Sequence, residues 1–178
     1  ILWPFLSFLV ALANFSSKEA KSVVYIFIVY YGLTFVNNNV AVDAYRYALS
    51  LKANAMLPFS EFFTIVGGLY SDTSVDIVEP LISFIVSRFT SDHGLYFGIW
   101  AAIFGYFYLN SIGLLYERLR VNQGWNTIIL MAFFIMTVPV TMISGVRMWT
   151  AAWIFFYGAY RVITEKNPKF LIITFSAA

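Results

Sequence analysis

The sequence predicts an all-α, polytopic integral membrane protein, a helical bundle with one amphipathic helix lying at its outer interface. Three observations lead there. Only 11% of the 178 residues are charged, while 61% are hydrophobic and 20% aromatic, and the mean hydropathy is +0.77. A soluble domain is about one-quarter charged, so this chain lacks the side chains to cover a water-facing surface of its own size. The apolar residues also come in runs of bilayer length separated by polar punctuation. Those runs are continuous rather than alternating, which selects helices over a closed β-barrel.

Taken in order, the first run is Ile1 to Phe15. It has no charged leader and no small-residue cleavage site, so it reads as a span rather than a signal peptide. The second, Val23 to Val36, borrows flanking residues to make a span over 22–37. The third is Gly94 to Tyr116, a span over 94–116. The fourth, Trp125 to Tyr160, is too long for one crossing: its 36 residues would reach roughly 54 Å, against a hydrocarbon core of about 30 Å. Pro139 and Ser144-Gly145 divide it into spans over 125–142 and 146–163. A last span over 169–178 is cut short at Ala178, and with a start at Ile1 rather than Met this predicts a segment of a longer protein. The whole, 1–178, reads as a single transmembrane domain.

The stretch Glu79 to Phe89 is about eleven residues long and contains Arg88, too short and too polar for a span. Glu79, Ser83 and Ser87 recur at i, i+4, i+8, with Leu81, Ile82, Ile85 and Phe89 on the other side, the pattern of a helix lying in the membrane surface. Charge bias favours that placement. If the stretch does not cross, Lys18, Lys21, Arg118, Arg120, Arg161, Lys166 and Lys169 share one side, and Arg46, Lys52, Arg88 and Arg147 the other. The basic-rich side is then cytoplasmic, and the loop 37–93 and the turn from Pro139 to Arg147 lie outside.

That outer loop is too long for a plain connector. Asn37 to Asn39 offers a turn, and Asp43-Ala-Tyr45-Arg46-Tyr47 begins helical character through Ala55. Pro58 and Ser60 mark a second start, Gly67-Gly68 a stop, and Tyr70 to Ser74 a surface turn. Arg147 stands between two uncharged runs. An arginine near mid-bilayer costs about 3 kcal/mol, so it faces water, a partner or an anion, or it sits at a helix end and snorkels to headgroups. Other candidates also admit two readings. Asp43 and Arg46 form an exposed helix pair or a site. Glu79-Pro80 opens a helix or supplies a carboxylate to chemistry. Arg88 and His93 read first as interfacial residues. The tyrosines and tryptophans are belt anchors, although Tyr45, Tyr47 and Tyr70 are placed to stack on sugar rings. Cysteine is absent and His93 is the single histidine, which argues against thiolate or histidine metal sites. A net charge of +2 is too small to imply nucleic acid. Neither a metal nor a cofactor is expected.

Three motifs taken together carry a resemblance: Asp43-x-Tyr45-Arg46-Tyr47, then Glu79-Pro80 opening an amphipathic helix, then Gly145-Val146-Arg147 leading into Trp149-Thr-Ala-Ala-Trp-Ile-Phe-Phe. Their order resembles the EpsG-like family of Wzy-type exopolysaccharide, capsule and O-antigen polymerases, over about Asn37 to Phe170. The chain departs from the family pattern at Leu81-Ile82, where Gly-Tyr often follows Glu-Pro, and at Met148, where Gln often follows the arginine. The resemblance implies an enzyme of the bacterial cytoplasmic membrane, multi-pass, joining undecaprenyl-pyrophosphate-linked oligosaccharide repeat units at the outer face. It implies Glu79 or Asp43 as the catalytic base, and Arg147, Arg46, Arg88, Tyr45 and Tyr47 as substrate-binding residues. The partners it implies are the lipid-linked oligosaccharide, membrane lipids and a chain-length regulator. A glycosyltransferase using a polyprenyl-linked sugar and a transporter or flippase of lipid-linked sugars are the alternative functions. Against the transporter, no paired repeat is visible in the sequence.

Overall fold

The computed structural model describes residues 2–35, 43–63, 78–119, 129 and 146–175. All regular elements among them are helices: α1 (Leu2–Ala13), α2 (Lys18–Leu33), α3 (Asp43–Met56), α4 (Val78–Ser87), α5 (His93–Leu119), α6 (Val146–Glu165) and α7 (Phe170–Phe175). The expected span over 125–142, Ile129 apart, and Asn37 to Asn39, Gly67-Gly68 and the Tyr70 turn fall outside the described residues; so does the expected Pro139–Arg147 turn as far as Gly145, while Val146 and Arg147 open α6.

Helix α2 begins earlier than the apolar run suggests, and a cap explains why. Ser17 is extended (φ −83°, ψ 152°) and its side chain accepts from the Ala20 N–H at 3.0 Å, with Glu19 in the first turn. That cap recruits the charged residues Lys18, Glu19 and Lys21 into the helix. The same logic starts α5, where Asp92 Oδ1 accepts from the Gly94 N–H at 2.7 Å. Helix α6 ends on Lys166, whose φ of 52° is left-handed, and the chain then turns back into α7.

Helix α5 is the spine. Among the described residues it is the one helix both long and apolar enough to cross a bilayer, with 27 residues. Helices α1 and α2 have 12 and 16 residues, short of the roughly 20 a crossing needs. Helix α6 has 20 but carries Arg147, Arg161 and Glu165. One face of α5 packs with Ala11 of α1, Val24 and Ile28 of α2 and Trp153 of α6. Its N-terminal half packs with Ala44, Tyr47 and Leu51 of α3 and Val86 of α4.

Helices α2 and α5 run antiparallel and unusually close. Gly113 lies beside Lys21, Gly105 beside Ile28 and Tyr25, and Gly94 and Gly98 beside Leu33. The contact thus covers the stretch from Gly113 to Gly94, roughly 28 Å of helix. A Cβ on Gly32 would stand 2.7 Å from the Phe97 carbonyl oxygen, closer than atoms pack. Small residues at such spacing let two helix backbones approach, which drives association where lipid removes the hydrophobic incentive. Helices α5 and α6 instead run parallel: Tyr108 meets Trp153, Phe107 meets Tyr157, and Arg161 lies beside Leu114 and Glu117. Leu119 and Val146 therefore sit toward opposite ends of the pair.

Many large apolar side chains are exposed among the described residues. Trp3 of α1 is 81% exposed and Ile172 of α7 75%, and Phe5, Leu6, Val10, Phe155, Ile163 and Phe175 are exposed with them.

Candidate functional site

Helix α4 buries its polar stripe, Glu79, Ser83 and Ser87, together with Phe84 and Val86, and Glu79 is only 7% exposed. Val78 and Ile85 face outward, and Phe89, just past the helix, is 86% exposed. The sequence pattern separates these two faces, and the structure turns the polar one toward α3 and α5. Burying polar groups is costly unless each is bonded, and here each is. Ser83 accepts from Asn54 Nδ2 at 3.2 Å, tying α4 to α3. Ser87 donates to the Phe84 carbonyl at 2.7 Å. Glu79 accepts from the Tyr96 hydroxyl at 2.7 Å, tying α4 to α5.

The carboxylate therefore sits at the junction of three helices. Tyr96 is fully buried, and Tyr47 of α3 lies in the same cluster with Phe97 and Trp100. The Tyr96 ring meets Trp100 edge-on, with centroids 6.4 Å apart. Glu79 also occupies the first turn of α4, beside Pro80, so the helix-start reading and the site reading hold for the same residue.

The remaining candidates are distributed differently. Asp43 and Arg46 form an exposed i, i+3 ion pair at 3.6 Å; Asp43 lies one turn before the buried Tyr47 on α3. Tyr45 is half-buried. The Arg88 guanidinium is held at the C-terminal end of α3: it donates to the Leu57 carbonyl at 2.6 Å and to the Asn54 carbonyl, and lies 4.4 Å from the Phe84 ring centre. The Asn54 carbonyl, in the last turn of α3, also accepts from the Leu57 N–H at 3.2 Å, and Leu57 lies just past the helix end; a cation there suits the dipole. Arg147 is the second residue of α6. The structure thus brings Glu79 and Tyr47 together, leaves Asp43 with Arg46 at the surface, and commits Arg88 to the neighbouring helix.

Comparison with family models, curated proteins and solved structures finds no match. The site therefore rests on its own geometry. Tyr96 is the member that reading the sequence does not find, since an aromatic inside an apolar run has the appearance of a belt anchor. No group of three or more potential metal ligands occurs among the described residues.

Proposed function

We propose that this chain is part of a multi-span protein of the bacterial cytoplasmic membrane that polymerises lipid-linked oligosaccharides, as the resemblance to EpsG-like polymerases implies. Membrane residence is supported by the apolar residues exposed on α1, α6 and α7. The observation that carries the functional reading is the Glu79–Tyr96 pair with Tyr47 beside it. Two of the three motif segments behind the resemblance meet there, the one containing Tyr47 and the one containing Glu79.

In the proposed reaction the bond between the sugar anomeric carbon of the growing chain and its undecaprenyl pyrophosphate breaks. A hydroxyl of the next lipid-linked unit forms the new glycosidic bond and gives its proton to a carboxylate base, and the pyrophosphate leaves as an anion. Glu79 is the first choice for that base, with Asp43 the second. General bases are placed to take a proton as the transition state forms, and contribute on the order of a hundredfold or more. The departing pyrophosphate needs a cation, and arginine suits phosphate through its bidentate fork. Arg147 is the proposed contact, with Arg46 assisting.

Purified protein in nanodiscs, supplied with undecaprenyl-pyrophosphate repeat units, tests this. A ladder of polymer is expected from the unmodified protein and none from Glu79→Gln. Addition of a single sugar would support the glycosyltransferase instead, and transport without bond formation the flippase. Loss of polymer in Asp43→Asn but not in Glu79→Gln would move the base to Asp43.

A further inference from the structure

The α3–α4 pair packs beside α5 rather than beyond its end. It shares a cluster with Tyr96, Phe97 and Trp100, which lie roughly 5 to 10 Å along α5 from its start at His93. With 27 residues α5 is roughly 40 Å long, so when centred it projects about 5 Å from each side of a hydrocarbon core of about 30 Å. Tyr96 to Trp100 then fall at the edge of the hydrocarbon. Whatever α3 and α4 leave uncovered at that level meets what surrounds α5 there.

What they leave uncovered is apolar and largely aromatic. Met56, Phe59, Phe63 and Phe89 each have 66% or more of their surface exposed. They gather at one end of the pair. Phe59 and Phe62 stack with centroids 6.0 Å apart, and both lie against the buried Phe84 of α4, at 6.1 and 5.2 Å. Phe62 in turn meets Phe63 at 5.5 Å. Arg88, next to Phe89, lies over the same Phe84 ring. Its guanidinium donates inward, to Ser87 Oγ and to the Asn54 and Leu57 carbonyls. The cation at this end is therefore satisfied within the protein, which lowers the cost of taking the end out of water. Lys52, one turn before Met56, is exposed, with a stem long enough to keep its charge at headgroup level. Glu61 is half-buried and limits the depth, since a carboxylate is costly further into the bilayer.

Position selects lipid over a protein partner as the occupant. Phe89 stands five residues before Gly94, where the apolar run of α5 begins, so the rings flank the end of the spanning helix. We infer that this end of the α3–α4 pair is a membrane-insertion element. Met56, Phe59, Phe63 and Phe89 enter the boundary between headgroups and acyl chains in the leaflet at the N-terminal end of α5. The inference rests on the membrane reading above. It extends that reading to the segment 56–63, which the amphipathic pattern of Glu79 to Phe89 does not include, whereas Leu81 and Ile82 of that pattern are half-buried.

The test uses single-cysteine variants, since the chain has no native cysteine. Phe63→Cys, Phe89→Cys and Tyr106→Cys are each given a nitroxide label and reconstituted in vesicles of phosphatidylcholine and phosphatidylglycerol. Tyr106 is exposed at the middle of α5. Collisions with oxygen and with a water-soluble nickel chelate measure depth. The labels at positions 63 and 89 should favour oxygen and lie roughly 5–10 Å below the phosphates, with the label at 106 deeper. A label at 63 or 89 that favours nickel, while 106 stays deep, overturns the insertion and leaves the membrane reading standing. A label at either position shielded from both reagents means that protein covers this end, and overturns it too. A label at 106 open to nickel overturns the membrane reading, and the insertion with it. Should the labelled chains not reconstitute, unlabelled Phe89→Cys in intact cells should react with an impermeant maleimide about tenfold more slowly than Ser91→Cys, two residues on. Equal rates overturn the insertion.

Discussion

Tyr96 donates a 2.7 Å hydrogen bond to the Glu79 carboxylate across the interface between α5 and α4, with both side chains buried. That bond separates two properties that mutation usually confounds. Tyr96→Phe removes a donor and keeps the ring, leaving a buried carboxylate one bond short, at a cost of about 1–3 kcal/mol. Glu79→Gln keeps an amide oxygen that can still accept from Tyr96. It should unfold within about 1 kcal/mol of the parent, since the neutral replacement retains the bond. Under the proposed function it should nonetheless lose polymerisation by a hundredfold or more. Thermal unfolding in detergent beside the polymer assay checks both, and a Glu79→Gln protein with full activity would remove Glu79 from the chemistry.

How much of this was legible beforehand follows from where each signal resides. The long apolar run of α5 and the i, i+4, i+8 stripe of α4 are local patterns, and both emerged as helices. The start of α2 at Lys18 is not encoded in hydropathy, which does not register a cap: Ser17 brings Lys18 to Lys21 into the helix. Tyr96 and the Arg88 contacts join residues 17 to 34 positions apart, and no periodicity encodes such pairings. The glycines of α5 were visible, but their meaning depends on α2 lying against them.

That seam gives the second prediction. Gly32→Val would drive a side chain into the backbone of α5, where even a Cβ stands 2.7 Å from the Phe97 oxygen. Backbone cannot rotate aside as a side chain can, so about 1–3 kcal/mol of destabilisation is expected. Gly113→Ala is the internal control. Its nearest neighbour would be the flexible Lys21 Nζ at 3.4 Å, and alanine favours the helix by about 1 kcal/mol. Unfolding temperatures that fall for the first and hold or rise for the second would locate the tight contact at the Gly32 end.

Arg88 should matter for stability rather than through loose electrostatics. Arg88→Gln withdraws a charged fork from the Asn54 and Leu57 carbonyls and a cation from the face of Phe84. About 1.5–3 kcal/mol is expected for bonds to a charged donor. Because these contacts are direct, the loss should change little between low and high salt, unlike that of a surface pair. Denaturation at two ionic strengths measures it.

Lys166 occupies left-handed backbone at φ 52°, which costs an L-residue about 1–2 kcal/mol. Glycine relieves that strain but adds freedom to the unfolded chain, so Lys166→Gly should gain roughly 0.5–1 kcal/mol. An unchanged or lowered unfolding temperature would mean the lysine side chain contributes more than its backbone costs.

The last prediction concerns orientation. Ser91 stands just before α5 and Asn167 just after α6. Because these helices run parallel, the two positions lie at opposite ends of the pair, and α5 alone is roughly 40 Å long. In a membrane they would face opposite compartments. The charge bias assigns Lys166 and Lys169 to the cytoplasm, so Ser91→Cys should react with an impermeant thiol reagent added to intact cells, and Asn167→Cys only after lysis. The chain has no native cysteine to confuse the readout. Labelling of both from outside would mean that α5 and α6 do not span together, whereas the reverse pattern would keep the spans, invert the topology, and put Glu79 at the cytoplasmic face, away from any periplasmic substrate.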